Sequence, residues 1–211
     1  MERPLLSPPL PPRLPGEPLR RVTVFCGSSP GFDPAYADAA RALGETLVRR
    51  GIGLVYGAGR VGLMGILADT VLAGGGEVVG IIPQDLWDKE VGHTGLSELV
   101  IVDSMHQRKL LMADRADGFI ALPGGVGTFE ELFEALTWTQ LGIHHKPVGL
   151  HDVGGFYRPL LDLLDTAVAA GFLRSEQRAL MLAEDHPDAV LDRLTDWVPV
   201  DLPKWLGPSQ R

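Results

Sequence analysis

Apolar residues come in two rhythms along this chain. Short unbroken runs, Arg21–Cys26, Gly53–Gly57, Glu77–Pro83, Glu98–Val102, Asp117–Leu122 and Lys146–Leu150, have the length and character of buried strands. Between them the apolar positions recur at helical spacing. Asp33–Arg50 puts Ala37, Ala40, Leu43, Leu47 and Val48 on one side, and Gly51 is a natural stop. A helix follows Gly62 to about Ala73, and another spans Ser104–Ala116. Phe129–Trp138 repeats Phe129, Leu132, Phe133 and Leu136 at i, i+3, i+4 and i+7. Phe156–Gly171 and Asp188–Trp197 read as further helices. Strand and helix alternate throughout. The expected fold is therefore α/β: a doubly wound, mostly parallel sheet with helices on both faces, in a single domain.

The ends read differently. Met1–Pro18 carries Pro4, Pro8, Pro9, Pro11, Pro12, Pro15 and Pro18, too dense for a helix or a central strand. It is expected to be an extended, poorly ordered tail. Residues 201–211 read as a C-terminal tail, which leaves 19–200 for the domain. The net charge of −8 argues against broad nucleic-acid binding, though not against a small anion held by local cations. The single cysteine, Cys26, excludes an intrachain disulfide and suits a reducing, cytoplasmic setting. It reads as a small buried hydrophobe. No apolar stretch is long enough to span a membrane, and prolines interrupt any signal-peptide core.

Two glycine-rich turns each follow a strand and open a helix. Leu122–Glu131 reads Leu-Pro-Gly-Gly-Val-Gly-Thr-Phe-Glu-Glu. Gly124, Gly125 and Gly127 permit positive φ and close ligand approach. Free amides at the helix start, with the helix dipole behind them, suit a phosphate. The same residues also fit an ordinary helix start, with Thr128 as N-cap and Glu131 at N3 of a capping box. Glu130, Glu131 and Glu134 would repel an anion, so the amides must hold it.

The second turn, Gly57-Ala58-Gly59-Arg60-Val61-Gly62, matches the dinucleotide fingerprint literally. It follows the second strand, however, and Glu77 begins the next strand, where a ribose-binding carboxylate should end it. The preferred reading is a second loop in which Gly57, Gly59, Gly62 and Met64 help line one nucleotide pocket; a plain tight turn is the alternative. Gly27-Ser28-Ser29-Pro30-Gly31 ends the first strand, where open α/β sheets bind ligands. Ser28 there suits a phosphate, a ribose or a simple turn.

Arg108 and Lys109 share a helix face with Met105, Met112 and Ala116. Unless they snorkel to solvent, two cations there need a partner: a carboxylate such as Glu131, or a ligand's anionic group. Asp85–Gly95, with Glu90 and His93, is a long polar connection placed to cover the pocket. Met64, Trp87 and Met112 are candidates for shaping that pocket. The histidines lack metal-ligand spacing, and no metal is expected.

Met105-His106-Gln107-Arg108-Lys109 and Pro123-Gly124-Gly125-Val126-Gly127-Thr128-Phe129-Glu130-Glu131 together resemble the LOG family, the cytokinin-activating phosphoribohydrolases. The family signature is Pro-Gly-Gly-x-Gly-Thr-x-x-Glu. Cys26–Ser29, Tyr56–Gly65, Ile82-Pro83, Thr137-Trp138 and Leu141–Leu150 fit the family too, so the resemblance covers about residues 20–175. Ala58 departs from it, standing where members usually show a third consecutive glycine.

The resemblance implies a Rossmann-like fold, a homodimer, no cofactor, and hydrolysis of the N-glycosidic bond of a nucleoside 5′-monophosphate. The products would be ribose 5-phosphate and an N6-substituted adenine, or adenine from AMP. Arg108 and Glu131 are implied as the catalytic pair. Substrate contacts are implied at Glu90, Arg108, Lys109, Gly125, Val126, Gly127, Thr128, Phe129, Glu130, Glu131 and Thr137. The rivals are a non-catalytic nucleotide- or cofactor-binding Rossmann-like protein and an NAD(P)-dependent oxidoreductase resting on Gly57, Gly59 and Gly62. Some members have been labelled lysine decarboxylases, but nothing here suggests a pyridoxal-phosphate lysine site.

Overall fold

The computed structural model describes residues 10–87 and 92–200. Among them, seven strands form one parallel sheet: β1 (Arg21–Phe25), β2 (Gly53–Tyr56), β3 (Val78–Pro83), β4 (Glu98–Val102), β5 (Gly118–Ala121), β6 (Val148–His151) and β7 (Met181–Glu184). Their spatial order is β4-β3-β2-β1-β5-β6-β7. The chain winds outward from β1 to β4, returns to pair β5 with β1, and winds outward again. The winding direction therefore reverses between β1 and β5, which register Val22 against Gly118 and Phe25 against Ala121. That reversal opens a crevice at the carboxyl ends of the strands.

Helices cover both faces, as the alternation requires. One core layer packs α1 (Pro34–Arg50), α2 (Gly62–Ala73) and α8 (Pro187–Asp196) on the sheet. The opposite layer packs α4 (Met105–Asp114), α5 (Val126–Gln140) and α6 (Arg158–Ala169). Two further helices, α3 (Gln84–Trp87) and α7 (Ser175–Arg178), are single turns. Side chains alternate across the sheet with the strand period: Val22 and Val24 enter the first layer, Phe25 and Val55 the second. Helix α1 shows how local the signals are. The Asp33 side chain accepts from the Ala35 amide at 2.9 Å, Pro34 stands at the first helical position, and Gly51 closes the helix at φ 68°.

Several boundaries differ from expectation. Strand β7 was not expected, since Met181–Glu184 has no β-branched residue; pairing with β6 and burial of Met181 and Leu182 make it a strand. β6 begins at Val148 because Pro147 has no N–H for the ladder. α4 is shorter than Ser104–Ala116: Ser104 is its N-cap, accepting from the Gln107 amide. Residues 10–18 of the Pro-rich segment are among those described, and some of them touch α8. Arg13 donates to the Leu194 and Thr195 carbonyls at the C-terminal end of α8, at 3.0 and 3.1 Å, and the Gly16 amide donates to Thr195. The rest of that tail, residues 1–9, and residues 201–211 lie outside the described residues. No helix among the described residues is long and apolar enough to cross a membrane.

Opposite the crevice, Asp117 joins the starts of the two central strands. Its Oδ2 accepts from the Arg20 amide at 2.8 Å and from Arg20 Nε at 3.1 Å. Burial pushes the Asp117 carboxyl up, but the Arg20 bonds outweigh it and hold the group below its ordinary value. A depressed folded-state pKa gives stability that is present above the unfolded value and lost as pH falls through the folded one. Arg20 is partly exposed, so screening trims the effect. Asp117→Ala is expected to cost ~1–3 kcal/mol in urea unfolding at pH 7. The deficit should shrink as pH falls below about 4; the same deficit at both pH values would contradict this reading.

Candidate functional site

Three loops meet at the crevice. The Gly27 amide donates to the Pro123 carbonyl at 3.0 Å, and the Gly27 carbonyl accepts from the Leu63 amide at 3.0 Å. These bonds tie the loop after β1 to the loop after β5 and to the start of α2. Close packing explains two glycines. A Cβ on Gly62, at φ 62°, would lie 2.3 Å from the Ser28 carbonyl carbon. A Cβ on Gly124 would lie 2.1 Å from Thr128 Oγ1. The result is a cavity of about 250 Å³ lined by Gly27–Gly31, Tyr36, Leu63, Pro123–Gly125 and Phe156.

The helix start beside this cavity differs from the capping box expected of it. α5 begins at Val126 with Gly125 as N-cap and no side-chain cap. Thr128 is thus inside the first turn, buried beneath Gly124, and does not cap. Nor do Gly124, Gly125 or Gly127 take positive φ. Gly125 and Gly127 are exposed, and a Cβ on either would meet nothing within 4 Å. The folded chain by itself does not require glycine at these two positions. The amides of Val126, Gly127 and Thr128 have no backbone acceptor among the described residues, as expected of a helix N-terminus. Uncapped amides beside open space form a seat for an anion.

Arg108 reaches the site from α4. It is 7% exposed. Its Nη2 donates to the Gly57 carbonyl at 3.0 Å, and its Nη1 lies 3.6 Å from Met105 Sδ. Nε is buried without a partner among the described residues. A Cβ at Gly57 would lie 1.8 Å from Nη2. Gly57 is therefore where the guanidinium fits, and the glycine pattern that matched a dinucleotide fingerprint has another cause. Gly59 leaves room for the Met64 methyl, and Gly62 for Ser28. The partner expected for Arg108, a carboxylate or a ligand, is in the folded chain a backbone carbonyl. Lys109 is the residue that pairs with carboxylates, Glu130 at 2.6 Å and Glu134 at 3.0 Å, which fastens α4 to α5. Burial pulls the Lys109 ammonium down, but these two bonds hold it above its ordinary value.

Glu131 is the remaining carboxylate of that helix turn. It is half-buried, with no hydrogen bond or ion pair among the described residues. Burial raises its pKa, while the Arg108 and Lys109 charges oppose the rise. The Glu131 charge also helps raise the Cys26 thiol, after burial. Arg108 and Cys26 thus both lie within electrostatic range of this carboxyl, while neither Arg108 nor Glu131 is among the residues lining the cavity. A carboxyl displaced upward beside a fixed cation suits acid–base chemistry.

Other expected residues are distributed less simply. Val126, Phe129, Glu130, Phe133, Glu134, Thr137 and Trp138 line a separate shallow groove of about 550 Å³ on the outer face of α5. Met112 is core, 1% exposed, and does not shape the cavity. Trp87 packs where a Cβ on Gly92 would stand. Glu90 lies outside the described residues. Sequence reading missed Tyr36, Phe156 and Tyr157. The Tyr157 hydroxyl donates to the Leu122 carbonyl at 2.7 Å, and Asp152 Oδ1 accepts from the Tyr157 amide, so this ring braces the glycine loop from behind. The available signal was an aromatic pair just after Gly154-Gly155, at the carboxyl end of β6.

Comparison with known proteins bears on this geometry. Residues 64–194 match a family model described as "Possible lysine decarboxylase". The cytokinin riboside 5′-monophosphate phosphoribohydrolase LOG2 of Arabidopsis thaliana is 51% identical, over 85% of this chain and 84% of its own. The corresponding LOG enzyme of Oryza sativa subsp. japonica is 48% identical, over 85% of this chain and 74% of its own. Among solved structures, a structural-genomics target determined by X-ray crystallography aligns at TM-score 0.62 and 25% identity, covering 82% of this chain and 96% of its own. The molybdenum cofactor carrier protein of Chlamydomonas reinhardtii aligns at TM-score 0.62 and 18% identity, over 86% of this chain and 98% of its own, a likeness of fold alone.

The glycines of the anion seat offer a test independent of any activity. Gly127→Ala lies inside a helix with open space around the new methyl, so it should leave the melting temperature unchanged or raised, by up to ~1 kcal/mol of stability. Inorganic phosphate binding, read by calorimetry, should weaken because the methyl fills the approach to the amides. A variant that loses stability and keeps phosphate affinity would contradict the seat.

Proposed function

Because the chain belongs to the LOG family, we propose that it hydrolyses the N-glycosidic bond of adenosine 5′-monophosphates, N6-substituted ones included, to free base and ribose 5-phosphate. The observation that carries this reading is that half-buried Glu131 feels the charge of buried Arg108 and belongs to the helix whose first amides are uncapped. The 5′-phosphate binds the amides of Val126, Gly127 and Thr128, which anchors the remote end of the substrate. As the bond from C1′ to the base nitrogen breaks, positive charge grows on the ribose, and the ionised Glu131 stabilises it or takes a proton from the attacking water. The water's hydroxyl joins C1′, the bond's electron pair leaves with the base, and the base acquires a proton. Arg108 stays protonated throughout. Its role is to orient substrate and offset negative charge on the leaving base. No cofactor takes part in this scheme.

Residues 19–200 are read as the catalytic domain, with a Pro-rich segment before it and a short tail after it. The outer face of α5 is read as the surface where a second copy docks, since Val126 is 83% exposed there beside half-buried Phe129 and Phe133. Light scattering should give a homodimer, and Phe133→Glu should shift it toward monomer. A parent that is monomeric at micromolar concentration would overturn the dimer.

The activity test is release of base from isopentenyladenosine 5′-monophosphate and AMP, with the unphosphorylated ribosides as controls. Turnover should require the phosphate. Glu131→Gln should lose about 10²- to 10⁴-fold in kcat. Its stability should not fall: a carboxyl whose folded pKa is raised holds its proton longer in the native state, so its ionisation opposes folding as pH rises. For the same reason kcat/KM of the parent should fall on the acid side with an apparent pKa above the ordinary ~4.3. Full activity in Glu131→Gln would overturn the assignment. Binding of AMP without base release would instead favour a nucleotide-binding module.

A further inference from the structure

The turn that holds Arg108 is itself under constraint. Ala58 takes φ 59°, the left-handed region that glycine occupies freely and other residues uncommonly. Gly80 lies beneath it, where a Cβ would come 2.8 Å from the Ala58 methyl. The turn is clamped from above by the connection leading to β4. The His93 amide donates to the Ala58 carbonyl at 3.1 Å, and Gly92 bridges Gly59. His93 is only 6% exposed, and its Nε2 lies 2.9 Å from Asp69 Oδ1 on α2. A carboxylate there accepts only, so the ring carries its proton on Nε2. Nδ1 is buried with no partner among the described residues. A buried imidazole with half its polarity unmet is costly to keep.

We propose that the His93–Asp69 pair is a positioning device for Arg108. It fastens the connection before β4 to α2, and so holds the strained Gly57–Gly59 turn whose carbonyl orients the guanidinium. The proposal rests on the catalytic role given to Arg108, which is one residue removed from any contact His93 makes. Misplacement of a catalytic group by about 1 Å costs on the order of 100-fold in rate. His93 is thus a residue that acts through another, and its loss should appear in kcat more than in KM.

The test is a mutant cycle on AMP cleavage in the full chain. His93→Ala should lower kcat by ~10- to 100-fold with KM nearly unchanged. His93→Gln, whose amide still reaches Asp69 as a donor, should recover most of the loss. Asp69→Ala should lower kcat in the same sense; its side chain is 68% exposed, so it tests the idea even if His93→Ala fails to fold. In an Arg108→Lys background neither change should add a comparable further loss, because the group being positioned is already altered. Equal fractional losses in both backgrounds, or unchanged kcat in both His93→Ala and Asp69→Ala, would overturn the proposal. Full activity in Arg108→Lys and Arg108→Ala would instead remove the catalytic role of Arg108, a separate failure.

Discussion

A guanidinium can enter a protein interior only where it finds both an acceptor and empty volume. Gly57 supplies both. Its carbonyl takes a hydrogen bond from Arg108, and its missing Cβ leaves the space that Nη2 fills. The rest of the site depends on that accommodation. The end of β2 fixes where the cation sits, and the Lys109 pairs to Glu130 and Glu134 fix α4 against α5. Glu131, the carboxylate left out of that pairing, feels the Arg108 charge and belongs to the helix whose first amides stand open.

This division of labour among neighbours resolves a tension in a helix start so rich in acid. Two of its glutamates share one cation, Lys109, which offsets half of their charge. The third has no such partner, and burial raises its affinity for a proton against the opposing pull of Arg108 and Lys109. The topology puts all of this at one edge. Because the winding reverses between β1 and β5, the loops after both strands share a crevice, and the loop after β2 flanks it.

The architecture was legible in the chain because its signals are local. Apolar runs, the Asp33 cap and the Gly51 stop each act within a few residues. β7 was not legible, since its strand character comes from pairing with the sequence-distant β6, Val148 against Met181. At the site, the family resemblance singled out Arg108 and Glu131, whereas the reason for each glycine was not legible. Gly57 serves Arg108, distant in sequence, whereas a Cβ on Gly125 or Gly127 would touch nothing among the described residues. Thr128 read as a cap because capping rules see only four residues; burial beneath Gly124 is a fact of the tertiary structure. Tyr157 escaped notice for the same reason, as its partner Leu122 lies 35 residues earlier.

The most direct measurement is a crystal structure of the chain with ribose 5-phosphate. The account requires the phosphate on the amides of Val126, Gly127 and Thr128, with C1′ between the Arg108 guanidinium and the Glu131 carboxylate. A phosphate seated elsewhere, or a C1′ remote from both side chains, would contradict it.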